Sequence, residues 1–114
     1  MNDLAAHEVL VALSTAPDEA TARRLARQLV EESLAACVNL LNAAQSIYRW
    51  QGQVEEAAEC VMLIKTTQAA WPRLKERLLQ LHPYEVPELL ALNVGDGHAP
   101  YLAWVLDNVK ETDR

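Results

Sequence analysis

Glycine is scarce in this chain, and its scarcity argues against several classes of enzyme. Only three glycines occur among 114 residues, and none forms the G-x-G-x-x-G or Walker sequences in which glycines let the backbone approach a phosphate. Ser14, Ser33 and Ser46 lack the glycine elbow of a serine nucleophile, and no cysteine lies beside a partner histidine in a known catalytic pattern. We therefore predict that the protein is not an enzyme.

Cysteine is also rare. Cys37 and Cys60 are too few to cross-link a domain of this size, and neither lies in a C-x-x-C pair or a Cys/His cluster. If a hairpin turn centres on residues 51–52, Cys37 lies opposite Thr66 and Cys60 opposite Ala43. The two thiols would then be roughly 20 Å apart along the strands, too far for a disulfide. We predict two free cysteines.

Long apolar runs and a surplus of basic residues are absent as well. The apolar runs at residues 9–13 and 61–64 are far shorter than the roughly 20 residues that span a bilayer. Sixteen acidic and ten basic side chains give a formal charge of -6, which repels nucleic acids and anionic lipids. No basic and apolar leader follows Met1. We expect one cytoplasmic domain over residues 1–114, with no nucleic-acid or membrane partner.

The hydrophobic periodicity predicts an alternation of strands and helices. Four strands are predicted: residues 7–13, residues 36–41 continued by 46–50, residues 54–65, and residues 88–94. The first predicted helix follows a capping box at Thr15 and Asp18 and ends near Ser33, the second covers residues 67–81, and the third runs from about Tyr101 to Val109. A turn signal at residues 51–53 joins the middle strands into one long hairpin. This order fits an α+β fold of the ferredoxin-like split βαβ type with an extra C-terminal helix.

The predicted hairpin is long enough to argue for an oligomer. Arms of about 13 residues would extend roughly 43 Å, beyond the roughly 35 Å width of a compact domain of this length. The overhanging part would expose Ile47, Tyr48, Trp50 and Val54, which another copy of the chain would cover. The alternative is a loop or bulge at residues 42–45, which would shorten the arms and remove the overhang.

Five segments in order resemble the CutA family: A-C-V-N at 36–39, S-I-Y-R-W-Q-G at 46–52, I-K-T at 64–66, H-P-Y-E-V-P-E at 82–88 and Y-L-A-W at 101–104. The resemblance implies a PII-like homotrimer and a role in tolerance of, or response to, copper and other divalent cations. A PII-like sensor that binds an anion or metabolite between subunits is one alternative, and a purely structural trimer is another. The family architecture suggests an inter-subunit cleft lined by Trp50, Lys65, Tyr84 and Glu88, although packing and interface salt bridges explain these residues equally well.

His82 is the strongest candidate for a metal ligand. Its imidazole could bind copper(II) or zinc with carboxylates from Glu85 and Glu88, or it could simply lie at the C-terminal end of the preceding helix. His98 beside Asp96 is a second candidate, but an exposed loop histidine is usually only solvated.

The resemblance to copper-binding members of the family is incomplete. Those members carry a cysteine where this chain has Ser14 and a second histidine where it has Leu81. Because copper(I) prefers a soft thiolate to a hydroxyl, we expect any site to be weak towards copper(I).

Overall fold

Strands and helices alternate along residues 3–111, the part of the chain that this computed structural model describes. In chain order they are α1 (Asp3–Glu8), β1 (Val9–Ala16), α2 (Glu19–Glu31), β2 (Cys37–Trp50), β3 (Gln53–Thr67), α3 (Trp71–Leu81), β4 (Leu89–Asn93) and α4 (Ala99–Asp107). No helix among these residues is long and apolar enough to cross a membrane.

The strands form one antiparallel sheet in the order β2-β3-β1-β4. β1 and β2 run in the same direction and are separated by β3, because each pairs antiparallel with it. Helices α2 and α3 cover one face of the sheet, where Leu25, Leu29, Leu74 and Leu78 pack against the β3 side chains. The predicted α+β architecture with a four-stranded sheet is therefore confirmed.

The first strand lies later in the chain than predicted. His7 and Glu8 belong to α1, and β1 continues through residues 14–16, which pair with residues 60–62 of β3. The prediction that the first strand ends at residue 13 was wrong because pairing with β3 holds residues 14–16 extended. The capping box was also wrong: Thr15 is a buried strand residue, and Asp18 alone caps α2 by accepting a hydrogen bond from the Thr21 N–H at 2.7 Å.

The second predicted helix begins too early. Residue 67 is the last of β3, and its side chain, Thr67 Oγ1, accepts a hydrogen bond from the Ala70 N–H at 3.1 Å. Helix α3 then starts at Trp71, and Pro72 lies in its first turn, where the missing N–H has no partner to lose. The helix ends at Leu81, as predicted.

The β2–β3 hairpin contains both a tight turn and a bulge. Gln51 and Gly52 form a two-residue turn with φ of 50° and 82°, the left-handed conformations of a type I′ hairpin. Leu41 pairs with Val61 and Ala44 with Glu59, so residues 42–43 together oppose Cys60. The alternative was right about a bulge, but the bulge does not shorten the arms, which have 14 and 15 residues.

The end of the hairpin projects beyond the rest of the sheet. Pairing of β3 with β1 stops at Cys60, so residues 44–59, the distal hairpin, form a two-stranded ribbon. The described residues extend over 47 × 28 × 22 Å, with a radius of gyration of 14.8 Å, against about 13 Å for a compact chain of this length. The predicted overhang is confirmed.

Both cysteines are free, as predicted. Cys37 pairs with Lys65, one residue away from the predicted Thr66 because the bulge shifts the register. Cys60 lies opposite the bulge and is fully buried, and burial raises the pKa of its thiol. A buried, protonated thiol is a poor metal ligand and a poor nucleophile.

Candidate functional site

A pocket of about 580 Å³ opens where the distal hairpin meets the loop between α3 and β4. The hairpin contributes Tyr48 and Trp50, and residues 82–88, the 82–88 loop, contribute Tyr84. Val86 adds apolar surface. This volume is within the range of about 300–1,000 Å³ that is typical of small-molecule sites.

The bulge decides which hairpin side chains face this pocket. Tyr48 pairs directly with Glu55, and directly paired residues in a sheet point to the same face. Without the extra residue at 42–43, the odd-numbered residues of the β2 arm would share the face of Glu55 and Glu59. The bulge reverses this alternation and places Ser46, Tyr48 and Trp50 on the pocket side.

The 82–88 loop is attached to β1 near both of its ends. His82 Nε2 lies 2.7 Å from the carbonyl oxygen of Thr15, and its Nδ1 accepts a hydrogen bond from the Tyr84 N–H at 3.1 Å. These partners define the tautomer in which Nε2 carries the proton and donates to the Thr15 carbonyl. At the other end, the fully buried Ser14 hydroxyl donates to the Glu88 carbonyl at 2.7 Å. Two consecutive strand residues therefore fix the loop that forms one wall of the pocket.

Tyr84 connects the two walls of the pocket. Its hydroxyl donates a 2.6 Å hydrogen bond to Glu59 Oε2 of the distal hairpin. Burial of the phenol, together with the hydrogen bond and the nearby charge of Glu59, raises the pKa of Tyr84 well above its usual value. The phenol therefore keeps its proton and donates a hydrogen bond to Glu59, which holds the loop against the hairpin.

The pocket is strongly acidic. Glu55 and Glu59 lie on the hairpin wall and Glu85 and Glu88 on the loop wall, and none of the described residues that line the pocket is a lysine or arginine. Arg49 pairs with Val54, so it lies on the opposite face of the hairpin. The lining therefore attracts cations and repels anions.

The geometry around His82 does not form a ready metal site. Both ring nitrogens have hydrogen-bond partners within the fold, and only 8% of the residue is exposed. Among residues 3–111, no group of three or more His, Cys, Asp or Glu side chains is arranged to hold a metal ion. Metal binding by His82 stays a prediction, and it would require breaking one of these hydrogen bonds.

Four of the other candidate residues line the pocket, and two lie apart from it. Trp50, Tyr84, Glu85 and Glu88 line it. Lys65 lies on the sheet beside Asn39, to which its ammonium donates a hydrogen bond, and it is not part of the lining. His98 is an exposed residue that precedes α4, and the neighbouring Asp96 accepts from the Gly97 N–H at 2.8 Å.

Sequence reasoning missed several residues of the pocket. Thr15, Ser46, Glu55 and Glu59 line it but were not among the candidates. Strict alternation along β3 places Glu55 and Glu59 on the same face of the strand, and that signal was available in the sequence. The partners of these residues on β2 depended on the position of the bulge, which the sequence did not specify.

A second feature is the sheet face that is not covered by α2 and α3. The register places a set of apolar side chains on it: Val11, Leu13, Leu41, Val61, Leu63, Leu90 and Leu92. Leu41, Leu90 and Leu92 are 47–53% exposed, and within residues 3–111 none of the set packs into either buried cluster. We call this set the open face.

Known proteins resemble this chain in both sequence and structure. Residues 10–108 match the family model described as CutA1 divalent ion tolerance protein. The chain is 53% identical over 98 residues to the divalent-cation tolerance protein CutA of Thermus thermophilus, a match that covers 86% of this chain and 95% of the relative. It is 47% identical over 105 residues to the protein of that name from Pectobacterium atrosepticum, covering 92% and 96%.

Solved structures agree with the sequence matches. The divalent cation tolerance protein (Cut A1) of Thermus thermophilus superposes with a TM-score of 0.87 at 51% identity, covering 90% of this chain and 99% of that one. CutA1 of Oryza sativa superposes with a TM-score of 0.89 at 35% identity, covering 92% and 96%. From these matches and the shared fold, the chain belongs to the CutA1 divalent ion tolerance protein family.

Proposed function

We propose that the protein is a cytoplasmic homotrimer that contributes to tolerance of divalent metal ions, copper in particular. Its membership of the CutA1 divalent ion tolerance family carries this proposal. The strand order, with β1 and β2 parallel and separated by β3, supports a ferredoxin-like split βαβ fold, which is the unit expected in a PII-like trimer.

Two surfaces support the assembly. The open face presents a contiguous apolar area of a kind that monomeric proteins seldom leave in water. The distal hairpin has unpaired backbone groups on both edges, and Ile47 and Val54 on it are 68% and 63% exposed. Packing of the open faces around a shared axis, with each hairpin against a neighbour, would cover both surfaces.

Direct metal binding by the protein is proposed to be weak. A metal at Nδ1 of His82 would displace the hydrogen bond from Tyr84, and one at Nε2 would displace the bond to Thr15. Imidazole and carboxylate donors would favour copper(II) or zinc, and Ser14 supplies no thiolate for copper(I). We expect His82→Ala to weaken copper(II) and zinc binding in calorimetric titrations at neutral pH. Equal affinity in both proteins would exclude His82.

A second candidate function is a PII-like sensor that binds a small ligand where subunits meet. The pocket favours it, because a cavity of about 580 Å³ with aromatic and carboxylate walls lies beside the overhanging hairpin. The acidic lining favours a cationic ligand over the anion or metabolite expected from the family resemblance.

Growth of a deletion strain in graded copper(II) tests the leading proposal. The wild-type gene should restore tolerance, and a variant with a charged open face, such as Leu63→Asp, should not. Protein levels of both are measured by immunoblot, so that loss of tolerance is not confused with loss of protein. Equal growth of the deletion strain and the complemented strain at every copper concentration would contradict the proposal.

A further inference from the structure

We infer that the pocket between the distal hairpin and the 82–88 loop binds an organic cation: an ammonium or guanidinium group carried on a compact apolar body. This inference deepens the second candidate function proposed above, and it rests on that function.

The aromatic wall is the first observation. Tyr48, Trp50 and Tyr84 all line the pocket, and they come from two different segments of the chain. A cation is attracted to the face of an aromatic ring when it lies within about 6 Å of the centroid, and tryptophan gives the strongest attraction. Tyr84 is already oriented by its hydrogen bond to Glu59. The pocket therefore offers aromatic surface to a charged group that also has apolar area to bury.

The distribution of charge is the second observation. Glu55 and Glu59 are on one wall, and Glu85 and Glu88 are on the other. Because the described lining contains no lysine or arginine, all of its formal charges have one sign. Clefts lined by one sign of charge concentrate ligands of the opposite sign. A ligand recognised through phosphate or carboxylate is therefore excluded.

Size and geometry distinguish an organic cation from a bare metal ion. A divalent metal needs several donor atoms converging at about 2.0–2.6 Å, and no such group of three residues exists among residues 3–111. One oxygen of Glu59 already accepts from Tyr84. Carboxylates spread around about 580 Å³ suit a charge that is distributed over a larger group.

The loop wall is also fixed before any ligand arrives. The buried His82 ring bonds to the Thr15 carbonyl, and the buried Ser14 hydroxyl donates to the Glu88 carbonyl, so two adjacent residues of β1 hold the 82–88 loop. A ligand that enters a pre-formed site loses little affinity to ordering of the protein. Rigid aromatic walls also favour compact ligands over long flexible ones.

The test is a calorimetric titration of the assembled protein with benzyltrimethylammonium, compared with benzyl alcohol and phenylacetate as neutral and anionic probes of similar size. We expect only the cation to bind, and we expect its binding to weaken as salt is added.

Three variants test which residues contact the cation. Glu55→Gln should reduce the affinity of the protein for the cation about threefold. Glu56→Gln is the matched control, because Glu56 alternates with Glu55 along β3 and is not among the residues that line the pocket, and it should bind as the wild type does. Trp50→Leu, which keeps apolar bulk, should reduce affinity about fivefold.

The outcomes separate this inference from the proposed function. Absence of cation binding, equal binding of the neutral probe, or equal losses in the Glu55 and Glu56 variants would overturn the inference. Light scattering on the same samples reports the assembly independently. If the protein is a trimer and restores copper tolerance but does not bind the cation, only the inferred ligand class is refuted. If the protein is a monomer, the proposed function is refuted.

Discussion

The two faces of the sheet are both apolar, but only one is covered within a single chain. On the helix-covered face, Met62 and Ile64 are fully buried beneath α2 and α3. On the open face, Leu90 and Leu92 are about half exposed, at 53% and 47%. An alternating strand would normally be apolar on one face and polar on the other. A strand that is apolar on both faces therefore indicates that a second layer comes from elsewhere.

The largest effect is expected from placing a charge on the open face. Leu63→Asp should prevent assembly, because an unpaired carboxylate buried between copies costs several kcal/mol and raises the dissociation constant about a hundredfold or more. Sedimentation velocity at micromolar concentration measures this. Leu79→Asp is the matched control: Leu79 is a 45% exposed leucine on α3. If both variants assemble like the wild type, the open face is not the contact.

An intermediate effect is expected at Ser14 on the helix-covered face. Ser14→Ala removes the donor to the Glu88 carbonyl, and a typical intramolecular hydrogen bond contributes about 0.5–1.5 kcal/mol to the free energy of unfolding. Denaturant unfolding measures the loss, and amide hydrogen exchange should become faster in the 82–88 loop. Ser46→Ala, at a half-buried position in the pocket, should be nearly neutral. Unchanged exchange in the loop would show that Ser14 does not hold it.

The smallest effect is expected at an ion pair on the helical side. Arg77 donates to Glu32 at 2.8 Å, and this hydrogen bond lowers the pKa of Glu32 from its usual 4.5. A lowered pKa means that the contribution is present above about pH 4.5 and is lost as the pH falls through the folded-state value. Both side chains are about one-third exposed, so we expect only about 0.5 kcal/mol.

Arg77→Met should remove that contribution. Its unfolding free energy should fall by this small amount at neutral pH, and the difference from the wild type should vanish in acid. Glu31 and Arg27 form a more exposed pair at 3.5 Å, and Arg27→Met should change stability still less. A loss in Arg77→Met that is equally large at pH 3 would show that packing, rather than charge, is responsible.

Much of the fold could be predicted from the sequence, because its elements have strong local signals. The helical stripe through Leu25 and Leu29 and the turn at Gln51 and Gly52 depend on neighbouring residues and were correctly located. The errors came from tertiary contacts. Residues 14–16 were left out of the predicted first strand, yet pairing with β3 keeps all three extended, and residue 14 also pairs with β4.

The candidate site was predicted less completely than the fold. Trp50, Tyr84 and Glu88 were named and do line one pocket, but Lys65 lies outside it. The side chain of Lys65 alternates with buried neighbours on β3, so its position depends on the register of the whole strand. The hydrogen bonds that occupy both nitrogens of His82 depend on where the 82–88 loop meets β1, and no local pattern in the sequence encodes that meeting.

Size-exclusion chromatography with multi-angle light scattering on the wild-type protein at micromolar concentration most directly tests the claim that copies of the chain cover the open face. The predicted mass is about three times the 12.7 kDa of one chain. A single species of 12.7 kDa would show that the open face remains in water, and would contradict the proposed assembly.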